Sequence, residues 1–479
     1  MPDDVGRPTW SKLLALAATT ILAVSACGGT SSSPGGGGAS QPAAGGASQP
    51  AAGGASQPAG SATGSITVGM VGNPQMKELE KLKGKFEQTH PGATVNLLIL
   101  PENEIRSKVQ TDVSTGAATF DAVTIGMYEV PQYAKQKWID EIGTALDADT
   151  TYDSADFFKS VRDGLSLDGK LYAAPFYGES STLFYRKDLA QAAGVTIPDK
   201  PTWDEVVAAA TKLHTNDVAG ICLRGLKGWG EMGAPLGTVI NTFGGRWYDA
   251  GWNAQLTSPE TSAAIKFYVD TVKSVGEPGA ISSGFTECET LLAQGKAAMW
   301  YDASSAADFL FDAKSNPTTA DKLAVAYAPT KVKSPSGWLW AWAFAIESTS
   351  KNKPLALEFV KWATSKDYLQ LVNQETGSWG GVPSGSRKSL YEVAGYKDYA
   401  KSFGPVIVDS LNTVDPLHAT NFPDTPYSGI QFVQIPEFAA LGTSCTGYFG
   451  DAIGGGSVDD AIAKCQADAE KVAVNGGYK

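Results

Sequence analysis

Between residues 64 and 125 the chain alternates short apolar runs with amphipathic stretches, and this alternation constrains the fold more than any other feature. Ile66–Met70, Thr94–Leu100 and Asp121–Ile125 are the apolar runs, each of strand length. The stretch after the first run carries an apolar stripe at helical spacing, made of Met76, Leu79, Leu82 and Phe86. A second helix is predicted from about residue 102 to 114. This strand–helix–strand–helix–strand order predicts a parallel sheet that is covered on both faces.

Sheets of this kind bind ligands beyond the carboxyl ends of their strands. The Gly72-Asn73-Pro74 loop follows the first predicted strand, and the Gly126–Glu129 segment follows the third. We therefore expect both to lie at a binding edge. The amide of Asn73 can donate and accept hydrogen bonds there, which makes it a candidate ligand contact.

The N-terminus has the pattern of an export signal. Arg7 and Lys12 flank an apolar run from Leu13 to Val24, which is too short for the roughly 20 residues of a membrane span. The run ends in Val24-Ser25-Ala26-Cys27, which resembles the bacterial lipobox, in which cleavage leaves an acylated cysteine. We predict a lipoprotein signal peptide over residues 1–26 and lipid attachment at Cys27. The alternative is an ordinary signal that is cleaved near a cysteine by chance.

Residues 27–63 are predicted to be a disordered tether that starts at the anchored cysteine. After Cys27 they are nearly all Gly, Ala, Ser, Gln and Pro, and Ala-Ser-Gln-Pro recurs at 39–42, 47–50 and 55–58. Such a stretch has little apolar surface to bury, so it cannot offset the entropy lost on ordering.

Composition argues against several classes of protein. A chain of 479 residues suggests two or three domains, and its net charge of −12 without a long basic run is unlike a nucleic-acid binder. The three histidines, His90, His214 and His418, are widely scattered, so neither a zinc site nor a histidine-based catalytic site is expected. There is no Gly-x-x-x-x-Gly-Lys-Ser/Thr loop for ATP. We expect no metal and no cofactor.

The second half of the chain is mainly helical in pattern. Thr202-Trp203-Asp204-Glu205 has the form of a capping box, and Ser457 with Asp460 repeats this pattern before a later helix. Three further segments have helical periodicity: Thr286–Gln294, Leu355–Ala363 and Ile435–Leu441. The whole pattern predicts an α/β protein of two lobes with irregular helical additions.

Several motifs, in order along the chain, resemble the family 1 extracellular solute-binding proteins. They are Gly169-Lys170-Leu171-Tyr172, Pro175, Phe184-Tyr185-Arg186-Lys187-Asp188-Leu189, Pro201-Thr202-Trp203-Asp204-Glu205 and Gln294-Gly295-Lys296-Ala297-Ala298-Met299. Other stretches resemble the sorbitol- and mannitol-binding branch of that family. These are Phe176–Ser180, Gly220–Gly225, Asn241–Trp247 and Gln431–Phe438.

The resemblance implies a periplasmic-binding-protein-like fold, with two discontinuous α/β lobes that open and close on a hinge. It places crossings between the lobes near Tyr177–Ser181 and Val325–Pro329. The N-terminal lobe is then residues 64–178 and 329–375, and the C-terminal lobe is residues 179–328 and 376–479.

The implied function is that of the solute-binding lipoprotein of an ABC importer, a monomer on the outer face of the cytoplasmic membrane. It would close around a polyol or a related sugar and deliver it to the permease subunits, with the ATPase acting only indirectly, and it would not be an enzyme. Two alternatives remain. One is a binding protein for another carbohydrate, such as a monosaccharide, an oligosaccharide or an amino sugar. The other is a lipid-anchored glycoside hydrolase that uses Glu179 and Asp302 as its two carboxylates.

The resemblance also implies ligand contacts in both lobes. Glu179 matches the acidic position beside the hinge, where a carboxylate can accept two hydroxyl hydrogen bonds. Its alternative role is that of a surface or helix-capping acid. Further candidates occupy the corresponding edge segments or follow the short strand at 297–299: Tyr128, Glu129, Arg224, Trp229 and Asp302.

Tryptophans are the aromatic candidates. Trp338, Trp340 and Trp342 alternate along one predicted strand, so their side chains point to the same face. Indole rings can pack on the carbon-bound face of a polyol while their N–H groups donate to hydroxyls. We take Trp338 and Trp340 as ligand contacts, whereas interlobe core packing explains Trp342 at least as well. Trp379 lies in a glycine-rich loop, which favours a place on the cleft wall.

Four cysteines follow Cys27, and an even number in an exported domain favours disulfides, with three possible pairings. Cys445 and Cys465 lie on consecutive predicted helices separated by Gly454-Gly455-Gly456, which suits a bridged helical hairpin. Cys222 and Cys288 would form the other bridge. Free buried thiols are the alternative.

Overall fold

The computed structural model describes residues 62–422 and 425–479. The predicted signal peptide, Cys27 and all of the tether except its last two residues lie outside them. No helix within the described residues combines the length and the apolar character that a membrane span requires.

Strands and helices alternate through the first third of the described residues, and helices dominate the last third. The strands are β1 Gly64–Val71, β2 Ala93–Leu100, β3 Ala122–Ile125, β4 Ser166–Leu167, β5 Lys170–Leu171, β6 Ala173–Glu179, β7 Ser181–Arg186, β8 Met299–Ala303, β9 Leu323–Tyr327 and β10 Trp340–Ile346. The helices are α1 Pro74–Thr89, α2 Glu102–Thr115, α3 Glu129–Lys135, α4 Gly143–Ala148, α5 Lys159–Gly164, α6 Lys187–Ala192, α7 Trp203–Leu213, α8 Gly233–Thr242, α9 Pro259–Val275, α10 Phe285–Ala293, α11 Ala307–Leu310, α12 Lys353–Ala363, α13 Lys366–Thr376, α14 Ala394–Tyr399, α15 Gly404–Thr413, α16 Phe438–Ile453 and α17 Val458–Asn475.

The larger sheet has the strand order β2-β1-β3-β10-β6. β1 is parallel to β2 and to β3, so the parallel arrangement predicted for the first three strands is confirmed. β10 comes from a distant part of the chain and pairs antiparallel with both β3 and β6. The sheet is therefore mixed. The carboxyl ends of β1, β3 and β6 share one edge with the start of β10.

The smaller sheet has the order β8-β7-β9, with both pairs antiparallel. The chain passes from the larger sheet to the smaller one at Ser180, between β6 and β7, and returns between β9 and β10. These passages lie next to the two crossings that the resemblance implies. The protein thus has the two-lobed, mixed α/β fold that was predicted, and the full lobe boundaries given above remain our proposal.

A pair of glycines lets the segment at residues 384–385 pass close to the end of β6. A Cβ atom on Gly178 would lie 2.4 Å from the carbonyl oxygen of Gly385, and one on Gly385 would lie 2.0 Å from that of Gly178. The Gly178 amide donates to the Ser384 carbonyl at 3.0 Å. Because side chains are excluded from both positions, the two backbones can cross in contact beside the passage at Ser180.

Two disulfides and two helix N-caps stabilise the helices that follow residue 200. The structure contains the Cys222–Cys288 bridge and the Cys445–Cys465 bridge, with Cα–Cα distances of 5.6 Å and 5.0 Å. The second bridge joins α16 to α17, as expected of a helical hairpin. Thr202 and Glu205 form the predicted capping box at the start of α7. The Ser457 hydroxyl accepts from the Asp460 amide at the start of α17.

Candidate functional site

A cavity lies between the two sheets, at the edge where β1, β3 and β6 end. Its wall is built from both sides of the molecule, and indole rings make up much of it. The lining residues are Asn73, Glu102, Arg106, Glu179, Arg224, Trp229, Gly230, Ala234, Phe285, Ala303, Trp338, Trp340, Trp342 and Gln431. The predicted binding edge of the larger sheet is therefore one wall of this cavity.

The structure brings six of the ten predicted ligand contacts together on this wall: Asn73, Glu179, Arg224, Trp229, Trp338 and Trp340. The other four do not line it: Tyr128, Glu129, Asp302 and Trp379. Three of these four support residues that do line it, as described below.

Glu179 is the last residue of β6 and reaches the cavity with only 6% of its surface exposed. One carboxylate oxygen accepts a hydrogen bond of 2.5 Å from the Ser305 hydroxyl. Burial raises the pKa of Glu179 to about 8, although Ser305 and the positive charge of Arg224 act in the opposite direction. The closed cavity therefore holds a carboxyl group that lacks enough hydrogen-bond donors for its charged form.

Arg224 is held in place by Asp302 through two hydrogen bonds, Nε to Oδ2 at 2.8 Å and Nη2 to Oδ1 at 2.5 Å. Asp302 is fully buried, and it also accepts hydrogen bonds from the Trp300 indole N–H and from the Ala303 backbone amide. Asp302 thus lies behind Arg224 and orients it, which is a different role from the ligand contact that was predicted. Burial alone would lower the pKa of Arg224, but the charge of Asp302 raises it above its usual range.

Arg106 is a site residue that the sequence did not reveal. Its Nε donates to Glu102 at 3.0 Å, and its Nη1 donates to Glu129. The guanidinium carbon lies 4.3 Å from the ring centre of Trp229 and 4.4 Å from that of Trp342. Glu129 therefore positions Arg106 instead of lining the cavity, and stacking between indoles restricts the guanidinium further.

Tyr128 packs behind Trp229, with ring centres 4.5 Å apart. Its hydroxyl donates to the Ile435 carbonyl at 2.9 Å and accepts from the Ala439 amide at 3.0 Å. These hydrogen bonds hold the hydroxyl against residues that do not line the cavity. Tyr128 thus packs behind the cavity wall and connects the start of α3 to the start of α16.

Trp379 lies away from the cavity. Its ring packs edge-on against Tyr396, with centres 5.5 Å apart. The glycine-rich loop that carries it is fixed by a 2.6 Å hydrogen bond from the Ser378 hydroxyl to Asp312. A large aromatic side chain among glycines favours a cleft wall, but Trp379 is not among the residues that line this cavity and packs against Tyr396 instead.

Trp340 reaches the cavity because Gly126 leaves room for it. A Cβ atom on Gly126 would lie 1.9 Å from the Trp340 ring, so any other residue there would displace the indole. Trp342, for which core packing was at least as good an explanation as ligand contact, is 3% exposed and also lines the cavity. Both expectations for Trp342 therefore hold in part, because this wall is continuous with the core.

The remaining wall residues were missed because nothing local marks them. Glu102 and Arg106 are four residues apart on a predicted helix, a spacing that is common in solvent-exposed ion pairs. Phe285, Ala303 and Ala234 have ordinary core character. Gln431 falls within a stretch quoted above for its family resemblance, which was the one available signal, but the residue itself was not singled out.

This arrangement suits a neutral, polyhydroxylated molecule. Both arginines already face carboxylates, and indole surfaces flank the polar groups, so C–H faces and hydroxyls of one ligand can be matched together. Among the described residues, the side chains that are close enough to share a metal ion are Cys222, Glu277 and Cys288. The two thiols of that group are consumed in a disulfide, and the group lies outside the cavity.

Comparisons with known proteins agree with this geometry. The family model described as bacterial extracellular solute-binding protein matches residues 73–370. The mannitol-binding protein of Pseudomonas aeruginosa is 42% identical over 418 residues, which cover 86% of this chain and 94% of that protein.

Solved structures give the same picture. An ABC transporter solute-binding protein from Agrobacterium vitis S4, with bound D-mannitol, has a TM-score of 0.84 and 44% identity. The match covers 86% of this chain and 99% of that one. A solute-binding protein from Agrobacterium radiobacter K84, in complex with ribitol, has a TM-score of 0.75 at 24% identity over 86% of this chain and all of that one. This second likeness concerns the fold alone.

Proposed function

The chain belongs to the family of bacterial extracellular solute-binding proteins, and on this premise we propose that it captures a small polyol of the sorbitol or mannitol kind for import. The observation that carries the proposal is the cavity wall, where Glu179 and two carboxylate-paired arginines stand among indole rings. The resemblance to a mannitol-binding protein and to a structure with bound D-mannitol supports the same ligand class.

The physical mechanism follows from the cost of burying hydroxyl groups. Each hydroxyl gives up water on entering the cavity and needs a protein partner in exchange. Partners come from both sides of the cavity, so the ligand makes its full set of contacts only when the cleft is closed. Binding therefore shifts the population toward the closed form.

We further propose that this closed, loaded form is what the permease subunits of an ABC importer recognise, while an ATPase acts on the other side of the membrane. Residues 1–26 would be removed on export, and Cys27 would carry the lipid that anchors the protein to the outer face of the cytoplasmic membrane. Metabolic labelling with a fatty-acid analogue tests the anchor. We expect label on the wild type and none on Cys27→Ser, and equal labelling of both would contradict it.

A thermal-shift panel tests the ligand class. It compares D-mannitol, D-sorbitol and ribitol with monosaccharides, disaccharides and an amino sugar. A ligand at 1,000 times its dissociation constant should add roughly 4 kcal/mol to the free energy of unfolding. We expect that shift with a hexitol. A shift with disaccharides alone would remove the polyol proposal.

The geometry gives the hydrolase alternative no support. That reading needed Glu179 and Asp302 on either side of a glycosidic bond. Asp302 is fully buried behind Arg224, and both of its oxygens accept hydrogen bonds from the protein. Turnover of a glycoside in the same panel would revive the alternative.

A further inference from the structure

We propose that Gln431 is a specificity-determining residue, whose side-chain oxygen accepts a hydrogen bond from one ligand hydroxyl and so links the ligand to the segment that closes the cavity. This inference rests on the proposed polyol-binding function and names one contact within it. The segment is residues 428–436, called the strap below.

The orientation of the Gln431 amide is fixed by the protein. Its Nε2 donates to the carbonyl oxygen of Leu339 at 2.9 Å. Only the NH₂ end of an amide can donate to a carbonyl, so the oxygen must occupy the other position. Gln431 is 4% exposed and lines the cavity, and its Oε1 has no hydrogen-bond partner among the described residues.

A buried acceptor without a donor is costly, and native structures rarely leave one unsatisfied. The ligand group that meets Oε1 must therefore carry a hydrogen to donate. A hydroxyl satisfies this requirement, whereas a ketone or an ether oxygen does not. Gln431 thus discriminates between ligands that are alike in shape but differ at one oxygen.

A second unsatisfied group on the same wall has the opposite polarity. The indole Nε1 of Trp338 is buried, and it has no acceptor among the described residues. Trp338 is 1% exposed and also lines the cavity. An unpartnered donor and an unpartnered acceptor on one cavity wall are best met by hydroxyl groups, because a hydroxyl can both accept and donate.

The strap is held from both sides of the cavity. On one side, the side-chain amide of Asn241, in α8, donates to the Ile430 carbonyl at 2.6 Å. On the other side, the side-chain amide of Gln434 donates to the Tyr128 carbonyl at 2.8 Å. The side-chain amide of Gln431 donates to the carbonyl of Leu339, the residue just before β10. A ligand hydroxyl on Gln431 therefore stabilises a segment that spans the closed cleft.

Neighbouring strap residues face the opposite way, which gives a matched control. Gln434 makes the same type of hydrogen bond as Gln431, from its amide to a backbone carbonyl. It does not line the ligand cavity, but faces a separate groove together with Ile430 and Phe432. Loss of Gln434 should weaken the strap without touching the ligand.

The test is calorimetric titration of the full mature chain with D-sorbitol, which lacks the twofold symmetry of D-mannitol, and with its monodeoxy analogues. The variants are Gln431→Met and Gln434→Met, which keep a similar side-chain length but remove the hydrogen bonds. We expect Gln431→Met to bind D-sorbitol on the order of tenfold more weakly than the wild type. For the one analogue that lacks the contacting hydroxyl, the difference between Gln431→Met and the wild type should shrink to the factor that Gln434→Met loses, because each variant also removes one hydrogen bond of the strap. Gln434→Met should weaken all the ligands by the same factor.

Two results would overturn the inference while leaving polyol binding intact. One is a Gln431→Met variant that binds every ligand as the wild type does, and the other is a variant that weakens every ligand equally. A wild-type protein that binds no polyol would overturn the proposed function and this inference with it. A crystal structure of the wild-type complex tests the contact without any variant, because a ligand hydroxyl should lie within about 3 Å of Oε1.

Discussion

Glu179 combines two properties that a hydroxyl-binding site needs, a carboxylate and near-complete burial. Family resemblance pointed to it through its place beside the hinge, and the structure places it on the cavity wall. The same reasoning selected Asp302, which lies behind Arg224 and does not line the cavity. Sequence position identifies the edge of a sheet well, but it cannot tell which of two neighbouring acids faces the cavity, because that depends on where a distant arginine lies.

Replacing Glu179 with glutamine should weaken polyol binding on the order of tenfold. A hydroxyl that donates to a carboxylate makes a charge-assisted bond, worth about 1.5–3 kcal/mol, and the amide makes a neutral one. Calorimetric titration with D-mannitol measures the change. Glu277→Gln is the control, because Glu277 is also a buried acid with a raised pKa but lies in another groove. Equal weakening in both variants would contradict a direct role for Glu179.

The pairing of Arg224 with Asp302 should be essential for stability. Asp302→Ala leaves a buried guanidinium without its partner, which costs about 3–5 kcal/mol of the free energy of unfolding. The control is Asp188→Ala, which removes a similar two-bond contact with Arg186, where the carboxylate is 36% exposed. That change should cost at most about 1 kcal/mol. Denaturant unfolding of both variants measures the difference, and similar losses would refute it.

At the scale of elements, the sequence predicted the strands, helix caps and helices that depend on local sequence patterns. The first three strands, the capping box at α7, the N-cap serine of α17, and the helices near residues 286 and 355 all have their signal within about fifteen residues. Other features depend on distant parts of the chain. The antiparallel insertion of β10 between β3 and β6 is one of them, because an apolar run does not specify its direction. The segment at 435–441 is helical only from Phe438, since the Ala439 amide, which a longer helix would pair with the Ile435 carbonyl, donates to the Tyr128 hydroxyl.

The two disulfides should stabilise the protein by different amounts. The Cys445–Cys465 bridge closes a loop with a sequence separation of 20, and the Cys222–Cys288 bridge one of 66. In the chain-entropy model these correspond to about 3 and about 4 kcal/mol. Paired cysteine-to-alanine variants, unfolded in denaturant, measure both losses. A larger loss for the shorter loop would show that native packing of the helical hairpin outweighs loop entropy.

At the scale of the whole molecule, closure of the empty cleft should depend on pH. In the closed cavity burial raises the pKa of Glu179 from 4.5 to about 8, whereas an open cleft returns the carboxyl to water. Because the closed form has the higher pKa, closure is not penalised below about pH 4.5, and the penalty grows as the pH rises toward 8. At pH 7 it is on the order of 3 kcal/mol.

Small-angle X-ray scattering of the ligand-free protein at pH 5 and pH 8 tests this dependence. The wild type should be more compact at pH 5, and Glu179→Gln should respond less to pH. Part of the response should remain in that variant, because burial also raises the pKa of nearby Glu231, to about 7. A wild type that is equally compact at both pH values would contradict the argument.

The central claim is that a polyol closes the cleft, and scattering with and without ligand at neutral pH tests it most directly. The radius of gyration of the mature wild type should fall when saturating D-mannitol is added, and it should stay unchanged with the same concentration of a disaccharide. Glu179→Gln should need a higher concentration of D-mannitol for the same change. A radius of gyration that no polyol alters, while another solute reduces it, would contradict the account.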